Sequence, residues 1–393
     1  MRILYIWHAA VEPGFRRLLD TMSKEADVSL TLVTAHRWTE SGRDQHWDNH
    51  TPSSYPAYGL LVAFRNHIRS FFFVNKFSIM RILLKTKPDI IYIKEEPYSL
   101  AAFQWVLFAR IFSRKSRILI ESDENLVLRQ PLPYHWIERF VLHAIDGIAC
   151  VPTDGIELYK AKGFQKKIYK TSYFVNETLF LPLEKKEASS YFPEVDTSLP
   201  AIGYVGRITE EKGIDTLLEA AKSLLSAGYR FHLYLLGSVN LSFQPTLATL
   251  LSDPLLENTV HLLKARPMEH LVYFYNLMDA IVLPSKTTSW WKEQFGRVIV
   301  ESQACGTPVI GSSSGEIPHV VGDPSFVFEE NNATALAEIM KKIVSQEISK
   351  PQISQKLRTL ALSRFSLSSV ARQKLAMMKD ILTSPPASRE KGR

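Results

Sequence analysis

Cysteine is nearly absent: the 393-residue chain has two, Cys150 and Cys305, each inside an apolar stretch. Two thiols without C-x-x-C spacing are too few for a zinc cluster or a disulfide framework. They read as buried, reduced side chains of a cytoplasmic protein. Long hydrophobic runs are missing too. The nearest, Leu100 to Phe108, is cut by Arg110 and then by Arg114, Lys115 and Arg117, so nothing approaches the roughly 18 residues that cross a bilayer. Residues 1–7 are apolar but short, are soon followed by His8 and Glu12, and lack a small-residue cleavage site. They read as a first strand rather than an export signal. The absence of low-complexity tracts and short repeats excludes a disordered chain and a solenoid. Only the polar end, residues 384–393, is expected to fray.

What is present is ordinary for a folded chain: 46% hydrophobic and 22% charged residues. At this length two domains are expected rather than one core. The net charge is +7, from 47 basic and 40 acidic residues, and the pI is about 9.1. Nucleic acid, an anionic membrane surface and a phosphorylated substrate all suit that balance; of these, nucleic acid is not the expected partner. One stretch is visibly basic, with Arg65, Arg69, Lys76, Arg81, Lys85, Lys87 and Lys94 against Asp89 alone. Within it Phe64, Ile68, Phe72, Ile79 and Leu83 recur at near-helical intervals. The stretch reads as an amphipathic helix packed on its own sheet, its basic residues in water. The alternative is peripheral attachment to the inner membrane face, for which Phe71-Phe72-Phe73 read as exposed.

Short β-branched and aromatic runs alternate with helical patterns from end to end, the pattern of βαβ units and parallel sheets in an α/β fold. Strands are expected at 2–7, 28–34, 90–94, 118–120, 147–151 and 167–173. A second series is expected at 201–205, 231–236, 260–263, 280–283, 308–310 and 325–328. Residues 37–58 read as a long loop. Residues 186–199, with their Pro, Ser, Glu and Lys, read as a linker. The expected organisation is an N-terminal Rossmann-like domain over 1–185, a second over 200–366, and a helix with a tail over 367–393. Two such sheets face a central cleft in this reading and bind ligands at the carboxyl ends of their strands.

Two segments carry chemistry. In Gly203-Tyr-Val-Gly206-Arg207-Ile-Thr-Glu-Glu-Lys212-Gly213 a strand ends in glycine and two cations bracket a turn. Gly206 permits close backbone approach, Arg207 offers a fork of donors to phosphate oxygens, and Lys212 adds a point charge. The second segment runs from Pro284 to Pro308 and holds Glu293-Gln294-Phe295-Gly296 and Glu301. A helix opening after Gly296 presents unpaired N–H groups to an anion. Glu301 can accept two hydroxyl hydrogen bonds, as a ribose requires, and Glu293 can do the same for a sugar ring. Trp290-Trp291 can stack on a sugar face or pack the loop. His143, His261, His270 and His319 have neither metal spacing nor a neighbouring nucleophile.

Taken together, Arg207 with Lys212-Gly213, Glu293-Gln-Phe-Gly296, Glu301-Ser-Gln-Ala-Cys-Gly-Thr-Pro308 and Gly311-Ser-Ser-Ser-Gly315-Glu316 resemble the group 1 (family four) retaining glycosyltransferases of GT-B fold. The likeness covers most of residues 201–322; before it, only the strand–helix pattern is similar. The resemblance implies that Arg207 and Lys212 neutralise a donor diphosphate approached by Gly206. It implies that Glu301 holds the ribose and that Glu293 contacts the transferred sugar. Gln294, Phe295 and Gly296 then present N–H groups, and Arg266 flanks the base. It further implies a UDP- or GDP-hexose donor, a glycan or lipid-linked acceptor, no metal and no cofactor, and a C-terminal helix returning to the N-terminal domain.

Two places depart from that family. The first loop, His8-Ala-Ala-Val-Glu12-Pro-Gly14-Phe, has one glycine where the family has several. The run Glu121-Ser-Asp-Glu-Asn125 lacks the histidine that often touches the donor sugar. His8, Gly14, Glu95, Glu121 and Asn125 are therefore candidate acceptor or sugar contacts, with Glu96 beside them. Competing readings are a nucleotide-sugar epimerase on a similar fold and a non-catalytic nucleotide-sugar sensor; fold alone separates none of these.

Overall fold

The structure, a computed structural model, describes residues 1–40, 43–48 and 54–385. It divides into two units: residues 1–172 with the chain from Leu367 onward, and residues 173–366. In the first, seven strands form one parallel sheet. They are β1 (Arg2–Ile6), β2 (Ser29–Ala35), β3 (Ala57–Leu60), β4 (Ile90–Ile93), β5 (Arg117–Ser122), β6 (Gly147–Cys150) and β7 (Lys167–Lys170), in the order β7-β6-β5-β4-β1-β2-β3. The central strands are apolar along their length: Ile90-Ile-Tyr-Ile93 is buried at every position, as a sheet covered on both faces requires. Ile3 of β1 lies opposite Leu30 of β2 on one side and Ile90 of β4 on the other.

Helices α1 (Pro13–Met22), α2 (Lys76–Thr86), α3 (Leu100–Phe112) and α4 (Tyr134–Ala144) connect these strands. Asn75 caps α2 by accepting from the Ser78 N–H at 3.1 Å, and Ser99 caps α3 from Ala102 at 3.1 Å, each satisfying a donor the helix start leaves unpaired. The second unit has six parallel strands, β8 (Ala201–Val205), β9 (His232–Leu236), β10 (Val260–Leu263), β11 (Ala280–Leu283), β12 (Val309–Ser312) and β13 (Val327–Phe328). Their order is β10-β9-β8-β11-β12-β13. Both Rossmann-like sheets agree with the strand series expected from the alternation, except for β3, which is not among the expected strands.

Four regions differ from expectation. The boundary falls at Ser172 and Tyr173, and the stretch expected as a linker contains helix α5 (Lys185–Tyr191). α5 packs on α7 (Met268–Leu277; α6 is Ile214–Ser226) through Tyr191 stacked on Tyr273 at 3.6 Å, and Phe192 adds a contact to Phe274 at 5.5 Å. Two aromatics anchor a segment whose overall polarity reads as solvated.

The stretch expected as a long loop over 37–58 holds a short hairpin of Arg37–Glu40 with Arg43–His46 and the first residues of β3; residues 41–42 and 49–53 lie outside the described residues. The expected helix over 64–83 begins only at Lys76, because Phe72–Phe73 pairs with Val62–Ala63 in a second hairpin. Phe71 and Phe73 are buried rather than exposed. The Gln104 amide fixes this hairpin, accepting from the Phe73 N–H at 2.9 Å and donating to its carbonyl at 2.8 Å.

The last helix, α10 (Leu367–Thr383; α8 is Arg297–Ala304 and α9 Lys350–Phe365), belongs to the first unit and packs on α1. The tail beyond residue 385 lies outside the described residues. Both cysteines are unpaired and buried, and burial pushes each thiol up to about 12. Among the described residues no helix is long and apolar enough to cross a membrane.

Candidate active site

In the second sheet the chain runs from β8 outward to β10, then returns to β11 and runs outward to β13 on the other side. The loops leaving β8 and β11 therefore diverge at their carboxyl ends, the place where an open α/β sheet takes a ligand. The first of these loops is residues 206–213, the second 284–296. The Lys286 N–H donates to the Glu211 carbonyl at 2.8 Å, and Gly213, with φ +67°, lies so close to Pro284 that a Cβ would sit 1.9 Å from its carbonyl oxygen. Gly213 opens helix α6 directly afterwards. A third loop, after β12, locks the second: the Glu316 N–H donates to the Glu293 carbonyl at 3.1 Å, and a Cβ on Gly315 would lie 2.1 Å from that oxygen.

These backbones bring together the two strongest sequence candidates. Lys212 Nζ lies 2.7 Å from Glu293 Oε2, which also accepts from Ser285 Oγ at 2.9 Å. The Lys212 ammonium is 4.4 Å from the centre of the Trp291 ring, a cation–π contact that fixes its direction. Both members of the ion pair are largely shielded from water. Arg207 points outward, 60% exposed, with Glu211 at 3.9 Å. A largely shielded ammonium and an exposed guanidinium on the same loop suit an incoming diphosphate. Glu293, already a partner of the lysine, suits a neutral, hydroxyl-bearing group rather than another anion.

Glu301 lies on α8, whose start is Gly296 at φ +80°. Its carboxylate is buried, accepts from Tyr275 Oη at 2.9 Å and lies 3.5 Å from Arg297. Burial raises its pKa; Arg297 and the tyrosine pull it down without fully offsetting this. Gln294 is exposed, whereas Phe295 is a core residue, edge-on to Tyr173 at 5.3 Å and Phe365 at 5.4 Å. Its ring is packing, and only its backbone is left to meet a ligand. Arg266 pairs with Glu194 at 2.9 Å and lies over Phe192 at 5.6 Å, so its contacts run to the segment after α5. Tyr275, Ser285 and Gly237 were not singled out by sequence. Gly237 abuts Gly206 so closely that a Cβ would lie 1.8 Å from the Gly206 carbonyl oxygen; its position at the end of β9 was the available signal.

The first sheet reverses in the same way between β1 and β4, and the residues just past those strands meet. Glu95 Oε1 accepts from the His8 backbone N–H at 2.8 Å, and Oε2 lies 2.6 Å from His8 Nδ1. A carboxylate on Nδ1 makes that nitrogen the donor and leaves Nε2 as the acceptor. Trp38 at 4.2 Å and Phe71 at 5.1 Å bracket the ring. Glu96 accepts from Ser122 Oγ at 2.6 Å and from the Asp123 N–H at 2.9 Å. Burial, then Asp123 and Glu124, push it up to about 8. Asn125 is half-buried on the loop after β5, and Gly14 lies in the first turn of α1.

Glu121 is a correction. It is buried in the core, where Lys94, Lys374 of α10 and the Tyr92 hydroxyl all bind its carboxylate, leaving it no role as a sugar contact.

Residues 186–359 match the model of the family Glycosyl transferases group 1. Over these residues the chain is similar to the group 1 glycosyltransferases. Over 167 residues it is 31% identical to the capsular polysaccharide biosynthesis glycosyltransferase CapM of Staphylococcus aureus, 42% of each chain. Over 205 residues it is 27% identical to a D-inositol 3-phosphate glycosyltransferase of Corynebacterium urealyticum, 50% of this chain and 47% of that one. The chain thus spans about half the length of the curated relatives it matches. HepE of Anabaena in complex with UDP aligns at a TM-score of 0.71 and 15% identity, over 97% of this chain and 100% of that one, a likeness of fold. HepE has also been solved with UDP-glucose. The fold is GT-B, with two parallel-sheet Rossmann-like units.

Within the family-matched segment Gly213 tests the lacing directly. Gly213→Ala forces an L residue into left-handed geometry and against the Pro284 carbonyl. It is expected to cost about 2 kcal/mol or more of stability, read as a lower urea midpoint, and to displace Lys212 from Glu293. Gly228→Ala, also at positive φ but with no atom within 4 Å of the added Cβ, serves as the comparison and is expected to cost less.

Proposed function

We propose that the chain is a retaining, metal-independent glycosyltransferase that moves a hexose from a UDP- or GDP-sugar to a glycan or lipid-linked acceptor. The observation that carries this reading is the Lys212–Glu293 pair, laced by three loops at the strand-order reversal of the family-matched unit. Breaking a sugar–phosphate bond develops negative charge on the departing diphosphate, and Lys212, Arg207 and the start of α8 are pre-placed donors for it. Gly206 lets the backbone approach the phosphates, Glu301 reads the ribose, and Glu293 reads the sugar. A same-face attack needs no protein nucleophile. The donor class is supported by HepE, solved with UDP and UDP-glucose, and a glycan acceptor by the polysaccharide role in CapM's name. The enzyme acts in the cytoplasm, without a cofactor.

The test is nucleotide release from a panel of UDP-, GDP- and ADP-sugars, with and without a lipid-extract acceptor, and with EDTA. Acceptor-stimulated release from one donor, unchanged by EDTA and giving product of the donor's anomeric configuration, is the expected result. Donor binding without release would replace this reading with a sensor; donor isomerisation without acceptor would replace it with an epimerase.

In this reading His8 Nε2 accepts a hydrogen bond from the acceptor hydroxyl, and Glu95 holds the ring in the tautomer that allows it. Glu95→Gln puts an amide donor against Nδ1 and moves the proton to Nε2. It is expected to lower acceptor-dependent turnover about 100-fold with donor affinity unchanged, read by acceptor kinetics beside a donor-binding titration.

A further inference from the structure

Helices α2, α3 and α4 lie side by side: α2 packs on α3, and α3 on α4. Their outer face carries more apolar surface than isolated exposed side chains explain. On α2, Phe77 is 75% exposed and Leu84 is also exposed; α3 adds Ile111; α4 and the turn before it add Leu132 at 69%, Trp136 at 61%, and Phe140. The loop before α2 joins this face, because Ser70 Oγ lies 2.6 Å from Tyr134 Oη at the start of α4. That loop carries the exposed side chains of Phe64 and Ile68.

The charge on this face is of one sign. Residues 61–87 contain Arg65, Arg69, Lys76, Arg81, Lys85 and Lys87 and no Asp or Glu. Residues 126–143 contain Arg129 and Arg139 against one acid, Glu138. Glu138 is turned inward and buried, 2.6 Å from Lys162, so it does not offset the exposed cations. Aromatic and aliphatic side chains set among uncompensated Arg and Lys match an anionic lipid surface, whose headgroups attract the cations while the apolar tips enter the boundary below. A protein partner would more often meet a patch of mixed charge.

We infer that the outer face of α2, α3 and α4, with Phe77, Leu132 and Trp136 as its inserting side chains, docks on an anionic bilayer. This rests on the lipid-linked form of the acceptor reading and names where the membrane meets the chain. It replaces Phe71-Phe72-Phe73 as the inserting group, since two of those rings are in the core.

The experiment is co-sedimentation of the full chain with vesicles of phosphatidylcholine alone and of phosphatidylcholine with phosphatidylglycerol, in low and high salt. Binding is read without turnover, so its failure is distinct from failure of the transferase assignment. The expected result is binding to the phosphatidylglycerol vesicles only, weakened by salt. Arg129→Glu with Arg139→Glu should weaken it about tenfold or more. Phe77→Ser, Leu132→Ser and Trp136→Ser together should remove it. These positions are exposed, and an unchanged urea midpoint checks that each variant folds. Leu241→Ser, which removes an exposed apolar side chain of the other unit, should bind as the parent does. No binding by the parent, or equal binding by the substituted face, would overturn the proposal. So would a concentration-dependent dimer that these substitutions abolish, which would assign the face to a second copy of the chain.

Discussion

Lys212→Ala is expected to lower turnover by about 100-fold or more, equivalent to about 2.7 kcal/mol of transition-state stabilisation. The lysine is held by Glu293, and its direction is fixed by the Trp291 ring, so its charge is in place before the donor arrives and little reorganisation is spent at the moment of reaction. Negative charge on the diphosphate grows as the sugar leaves, so the loss should appear in turnover as well as in donor affinity. Arg207→Ala should behave similarly with less structural consequence, because that side chain is mostly in solvent. Glu293→Gln separates the lysine's charge from its placement: it keeps the charge while weakening the pair that holds it, and should cost less than Lys212→Ala. Steady-state kinetics with the donor identified by nucleotide release is the measurement. A folded Lys212→Ala, Arg207→Ala double variant with near-normal turnover would sink the assignment.

How much of this was legible depended on distance along the chain. Lys212 and Glu293 are 81 positions apart, yet each sits in a short local pattern of glycine and charge, and glycines forced by backbone contacts mark such loops directly. The strand series was legible because two buried faces demand nearly continuous apolar runs.

The N-terminal carboxylates were not. Glu95, Glu96 and Glu121 all end or follow strands, and sequence ranks them alike. The reversal between β1 and β4 gives Glu95 to His8, while a lysine 253 positions away takes Glu121 into the core. The Phe71–Phe73 run failed as a surface because a hairpin, invisible to helical periodicity, buries two of its three rings.

Glu121→Gln is expected to be the most destabilising single change, about 3–5 kcal/mol. Its carboxylate is the shared acceptor of Lys94, Lys374 and the Tyr92 hydroxyl, and Lys374 also reaches Tyr92 Oη at 3.2 Å and Thr171 Oγ1 at 3.1 Å. Burial alone would raise the carboxyl, but attraction and hydrogen bonds from Lys374 and Lys94 outweigh it and bring it down to about 2. The lysines divide the effect unequally. For Lys374, burial together with the neighbouring Lys94 charge outweighs the pull of Glu121, and its pKa falls. For Lys94, burial is outweighed by Asp123 and Glu121, and its pKa rises. Removing the carboxylate's charge strands two ammonium groups in the core, which is where the cost arises. The sign with pH follows from the depressed carboxyl: its contribution is fully present above the unfolded value of about 4.3 and is lost as pH falls through the folded value of about 2. Urea midpoints measured from neutral pH downward should therefore fall for the parent across that window. Glu121→Gln should start low and lack this component of the decline. If it does not fold at all, the triple variant Glu121→Leu, Lys94→Met, Lys374→Met remains informative. Exchanging a whole buried ionic cluster for apolar side chains of similar size is often neutral or stabilising, so the triple should recover most of the lost midpoint. A triple variant no more stable than Glu121→Gln would mean that the cost does not arise from stranded ammonium groups, and would overturn this account of the network.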